Sequence, residues 1–131
     1  MGAEENRRAV ETMFAELSRG NAQPLLDTLA EDVVFTLVGS TRFSGVCRGR
    51  DEFVRRVLEP LGAALDGGIV VQVKVAIADG DRVATLSKGS ARAKDGRSYD
   101  NDYAHFFRFA NGRIVEAVEV FDTQLTADRL R

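Results

Sequence analysis

His105 is the only histidine in the chain, and an unperturbed imidazole gains and loses its proton near neutral pH. It alternates with Asn101, Tyr103, Phe107 and Phe109. In an extended strand that period of two puts all five side chains on one face. Phe107 and Phe109 belong in a core, so the same face carries a base, a phenol and an amide into the interior. Such a set suits proton transfer to and from a bound molecule. It equally suits a buried histidine satisfied by a backbone carbonyl or by Tyr103. Carboxylates follow in the next strand. Asp122 ends that strand, and Glu116 shares its parity. Glu119, three residues before Asp122, falls on the opposite face unless a bulge intervenes. Each face therefore holds an acid, and alternation leaves open which one enters the interior. A carboxyl buried beside aromatic rings has a raised pKa and can act as an acid, whereas a strand-end aspartate often only closes a turn.

Other chemistries find little support. Cys47 has no base nearby in sequence, which argues against a nucleophilic thiol. One cysteine and one histidine do not make a structural zinc site, which wants four such ligands, so no metal is expected. Arg42, Arg48, Lys88 and Arg92 are anion-binding candidates, but Lys88 and Arg92 share a strand face with Ala84 and Leu86 that reads as solvated. Gly39, Gly45 and Gly49 lack the Lys-Ser/Thr ending of a phosphate loop. With 18 basic and 20 acidic residues and a net charge of -2, the chain is no candidate for nucleic acid binding through a basic face. No apolar run is long enough for a membrane helix. The segment Met1-Gly2-Ala3-Glu4-Glu5-Asn6 has neither the apolar run of a signal peptide nor the Ser or Thr of a myristoylation signal. A cytoplasmic protein is the default expectation.

The elements that must position these residues come in two groups. Val10, Met13, Phe14 and Leu17 recur at helical spacing until Gly20-Asn21. Leu25, Leu26 and Leu29 stripe a second short helix with Pro24 in its first turn. Residues 33–38 read as a strand, and residues 39–49 as a loop. A third helix begins near Arg50-Asp51 with Phe53, Val54, Val57, Leu58 and Leu61, and Pro60 is expected to kink or end it. The second half is a meander. Ile69, Val71, Val73, Val75 and Ile77 alternate along one strand, and residues 83–93, 99–109 and 114–121 form three more. Asp79-Gly80, Asp95-Gly96 and Asn111-Gly112 mark the turns. The tail, 123–131, is a short helix or frayed. The 131 residues form one domain of the α+β class. If the sheet curls around the helices, a cone with an open mouth results, a natural small-molecule site. Phe106, beside Phe107 and Phe109, puts aromatics on both sheet faces. An apolar outer face suggests sheet-to-sheet dimerisation, the alternative being that Phe106 packs under the tail.

The order of these segments carries a resemblance. Two helices are followed by Leu29-Ala30-Glu31-Asp32-Val33-Val34-Phe35, a glycine loop and a third helix. The meander then holds Asp95-Gly96-Arg97-Ser98-Tyr99-Asp100-Asn101-Asp102-Tyr103 and Phe107-Arg108-Phe109-Ala110-Asn111-Gly112-Arg113-Ile114-Val115-Glu116, and it ends Glu119-Val120-Phe121-Asp122-Thr123. Over nearly its whole length the chain resembles the SnoaL-like branch of the nuclear transport factor 2 / ketosteroid isomerase superfamily. The resemblance implies a cone-shaped, mainly antiparallel sheet with three N-terminal helices on its concave face, commonly dimeric. It implies no single reaction, because the fold hosts isomerases, cyclases, hydrolases, dehydratases and binders. Ketosteroid isomerase itself pairs a carboxylate base with an oxyanion hole. By the match of Val38-Gly39-Ser40 its base position falls on Thr36, and its protonated aspartate on His105. Its first-helix tyrosine is replaced in a helix offering Met13 and Phe14. Steroid isomerisation is therefore not expected, and the Asp-Arg-Asp set of limonene epoxide hydrolase is not assembled. Asp122 with Gln124-Leu125 resembles the segment holding the acid/base carboxylate of SnoaL-type cyclases. The expected site is then His105 and Asp122 as catalytic residues, with Asn101, Tyr103, Phe107 and Glu119 binding substrate and no cofactor. The expected function is acid/base turnover of a small, largely apolar, ring-bearing molecule. The alternative is a non-catalytic ligand-binding or accessory module, in either case a homodimer through the sheet.

Overall fold

The computed structural model describes residues 2–131. The chain runs α1 (Ala3–Ser18), α2 (Gln23–Thr28), β1 (Leu29–Leu37), β2 (Gly45–Arg48), α3 (Arg50–Phe53), α4 (Glu59–Ala64), β3 (Leu65–Asp79), β4 (Arg82–Ala93), β5 (Asn101–Ala110), β6 (Arg113–Phe121) and α5 (Thr123–Arg129). The six strands form one curved, open, mixed sheet in the order β2-β1-β6-β5-β4-β3. Only the β1–β6 pairing is parallel. The expected α+β cone with helices on the concave face is thus observed. In α1 the apolar stripe Val10, Met13 and Phe14 is buried, and Glu4 and Glu5 complement the positive N-terminal end of the helix dipole. The β5–β6 turn shows why its sequence was readable: Asn111 and Gly112 both have positive φ, 52° and 77°, as a two-residue type I′ hairpin requires.

Three local expectations are corrected. Residues 39–49 are not all loop, because Gly45–Arg48 pairs antiparallel with β1. Four residues with a glycine and an arginine are too few to show alternation. Pro60 does not end its helix. A π turn, Val54–Leu58, stands just before it, and the helix continues to Ala64. The wider turn accommodates a ring that lacks an N–H and would otherwise clash one turn back. In β3 the register shifts between Val73 and Val75. This bulge reverses the strand's faces. Ile69, Val71 and Val73 pack on the core, but Val75 and Ile77 are exposed on the outer face, Ile77 at 63%.

Candidate functional site

The inner face of β5 presents Tyr103, His105 and Phe107 at spacing two, as expected, and all three are buried. Their rings form a ladder. The imidazole is stacked on Phe107 (centroids 5.4 Å apart) and on Tyr103 (5.9 Å), while Phe14 of α1 leans on it at 5.2 Å. These contacts fix the plane of the imidazole. The β5–β6 register then sets Glu119 directly opposite His105. His105 Nε2 lies 2.9 Å from Glu119 Oε1. A carboxylate can only accept a hydrogen bond, so opposite an ionised Glu119 this nitrogen carries the proton and donates it. The other oxygen of Glu119 makes no hydrogen bond among the described residues, and its side chain is more open than that of His105, 17% against 6% exposed. Glu119 therefore settles which acid of β6 turns inward. Glu116 turns outward and pairs with Arg108.

His105, Glu119, Tyr103 and Phe107 line a cavity of about 80 Å³. Its remaining walls are apolar: Met13, Phe14 and Leu17 from α1, Phe35 from β1, Phe53 and the π-turn Val57 from the third helix, among others. All polar groups thus stand on one wall. An engineered apolar cavity of ~150 Å³ takes up benzene, so a ring-bearing ligand enters this smaller one only as lining side chains yield. Tyr103 donates a long 3.4 Å hydrogen bond to the Tyr99 hydroxyl. Burial, more than the neighbouring Tyr99 and Glu119, pushes the Tyr103 pKa well above the ordinary tyrosine value. It stays a neutral phenol and hydrogen-bond donor.

Asp122 and Asn101 do not line the cavity. β6 stops at Phe121, and the Asp122 carboxylate accepts the Leu125 backbone N–H at 3.1 Å, capping α5. Asn101 is buried beside it. Its amide nitrogen donates to the Tyr99 hydroxyl, the Asp122 carbonyl and Thr126 Oγ1, and its oxygen accepts the Asp122 N–H. Asn101 fastens α5 to the sheet. Thr36, the position matched to a ketosteroid isomerase base, alternates with the buried Phe35 and Leu37 and so turns to the outer face. Sequence reasoning did not single out the helical walls. Their only signal is an apolar helix stripe, which looks the same over a cavity as over a filled core. Burial raises the Cys47 pKa, consistent with an inert thiol.

Residues 10–117 match the family model for the SnoaL-like domain. The chain belongs to the SnoaL-like domain family. A comparison with curated proteins finds no match. Among solved structures, Bal32a from a soil-derived mobile gene cassette superposes with a TM-score of 0.87 at 23% identity, covering 98% of each chain. An NTF2-like protein from Burkholderia thailandensis gives 0.84 at 25% identity, covering 96% of this chain and 97% of that one. TerC co-crystallised with polyporic acid gives 0.83 at 19% identity, covering 96% and 98%. This SnoaL-like chain thus shares the curved-sheet fold end to end. Among the described residues of the SnoaL-like chain, no helix is long and apolar enough to cross a membrane.

Proposed function

We propose that this protein is an acid/base enzyme for a small, largely apolar, ring-bearing carbonyl compound, with Glu119 as the proton-transferring group and His105 behind it. The observation that carries this reading is the 2.9 Å His105–Glu119 pair in an otherwise apolar cavity. One oxygen of Glu119 is held by the imidazole and the other is free to meet a ligand. A carboxylate there takes a proton from carbon beside a carbonyl. This step is common to isomerisation, aldol-type cyclisation and dehydration. The proton lost by the substrate rides on Glu119 while Tyr103, a neutral donor, exchanges its long bond to Tyr99 for one to the developing oxyanion. The chemistry uses the chain's own proton carriers. TerC, of like fold, was co-crystallised with a small molecule, which supports the ligand class.

The test is a panel of enolisable ring ketones incubated with the protein in heavy water, with deuterium uptake read by mass spectrometry. The expected result is uptake above the uncatalysed rate, abolished by Glu119→Gln. A ketone that binds the cavity without exchange would favour the non-catalytic binding module instead. In this reading the protein acts as a homodimer through the outer sheet face, where Ile77, Ala84, Phe106 and Val118 form one cross-strand row and Val75, Leu86, Ala104 and Val120 the next. Phe106 and Leu86 are 55% and 54% exposed, and the Arg108–Glu116 and Lys88–Asp102 ion pairs border the band. A continuous apolar surface of this kind calls for cover.

A further inference from the structure

Behind the His105–Glu119 pair lies a patch of unspent hydrogen-bonding capacity. Thr85 Oγ1, Ser87 Oγ and His105 Nδ1 are buried and have no hydrogen-bond partner among the described residues, a condition shared only with Asn6 Oδ1 on α1. The first three are neighbours by register. Thr85 stands opposite His105, Ser87 stands opposite Tyr103, and Thr85 and Ser87 share the inner face of β4 two residues apart. Side chains directly opposed on a sheet have their β-carbons about 4.5–5.5 Å apart. Thr85 and His105 are 3% and 5% exposed, so bulk water does not serve them. Buried hydroxyls and ring nitrogens are satisfied by protein or by ordered water in almost every native structure. Three polar partners are also the usual complement of one buried water. The neighbouring inner-face positions of β4, Val83 and Gly89, carry no polar side chain, so nothing about packing demands hydroxyls between them.

We propose that Thr85 and Ser87 hold one buried water against His105 Nδ1, and that Thr85 is thereby a positioning residue for the acid–base pair. The water donates to the Nδ1 lone pair and exchanges its remaining hydrogen bonds with the two hydroxyls. Occupation of Nδ1 as an acceptor keeps the neutral ring's proton on Nε2, where it donates to Glu119 Oε1. β4 thus supports, from one side of the ring, the tautomer that Glu119 on β6 selects from the other. The inference rests on the His105–Glu119 pair being the functional centre, but its test needs no substrate.

Because the chain has a single histidine, ¹⁵N-labelled full-length protein yields one pair of imidazole nitrogen resonances. At a pH where the ring is neutral, wild type should show a protonated Nε2 and an unprotonated Nδ1 shifted by accepting a hydrogen bond. In Thr85→Val, an isosteric change that removes the hydroxyl, that shift should be lost while Glu119 still holds the proton on Nε2. Thr85→Ser should keep the wild-type pattern. Circular dichroism establishes that each variant is folded. Identical nitrogen shifts in wild type and folded Thr85→Val would overturn the proposal, as would a protonated Nδ1 in wild type. A crystal structure checks the same point, with an ordered water within hydrogen-bond distance of all three atoms expected and a dry patch contradicting it. If no ketone exchanges deuterium but the Thr85-dependent shifts are seen, the enzyme reading has failed and the water site stands. Exchange without those shifts means the reverse.

Discussion

His105 is both a member of the site and a part of the core, and its substitution should separate the two roles. His105→Gln keeps most of the volume and one hydrogen bond to Glu119. If one buried partner is stranded, the expected cost is about 1–3 kcal/mol, measurable by urea denaturation and small enough to leave a folded protein. Tyr103 supplies a pH test. Its pKa is raised chiefly by burial, whereas the unfolded value is ~10. The folded state therefore keeps this proton where the unfolded chain sheds it. The resulting stability is complete below pH ~10 and is lost as pH rises above that value. The chain has two tyrosines. Ultraviolet titration should show the Tyr103 phenol ionising only as the protein unfolds, and Tyr103→Phe should blunt the alkaline fall in stability. Ionisation near pH 10 with the fold intact would contradict the buried assignment.

Elements decided how much of the site was legible. The inward face of β5 followed from Tyr103, His105, Phe107 and Phe109, because an unbroken strand carries its period to the end. Parity failed on β3, where the bulge after Val73 sends Val75 and Ile77 outward, since a bulge leaves no mark in an apolar run. It stayed open on β6. Glu119 and Asp122 are both acids near a strand end, and only the pairing of Glu119 with His105 and the capping of α5 by Asp122 tell them apart. Asp122→Ala should accordingly cost about 1 kcal/mol of stability, typical of a lost N-cap, and leave ketone exchange unchanged. A large loss of exchange would return Asp122 to the catalytic role that its sequence context suggests. Gly89 shows how closely β4 backs the site. A β-carbon there would sit 2.6 Å from Tyr103 Cε2 and 3.0 Å from Ile69 Cδ1. Gly89→Ala should destabilise by about 1–3 kcal/mol through overpacking and displace the Tyr103 ring, which thermal melting and the Tyr103 NMR resonances would report.

At the scale of the whole molecule, the two proposed functions fall on opposite faces of the sheet. The concave face gathers the acid–base pair under the helices, and the convex face carries the apolar band around Phe106. Phe106→Glu should leave the cavity untouched, because Phe106 points away from it, and convert a dimer to a monomer by sedimentation velocity. A monomeric wild type would contradict the proposed dimer. In the proposed chemistry His105 and Glu119 work as one unit within the cavity. This coupling is tested most directly by a double-mutant cycle on the deuterium exchange rate of a responsive ring ketone, using Glu119→Gln, His105→Gln and the double variant. Groups that act together are strongly non-additive. A loss of ~100-fold or more is expected for Glu119→Gln, with the double variant no slower than that single one. Losses that multiply, or a Glu119→Gln variant at the wild-type rate, would contradict it.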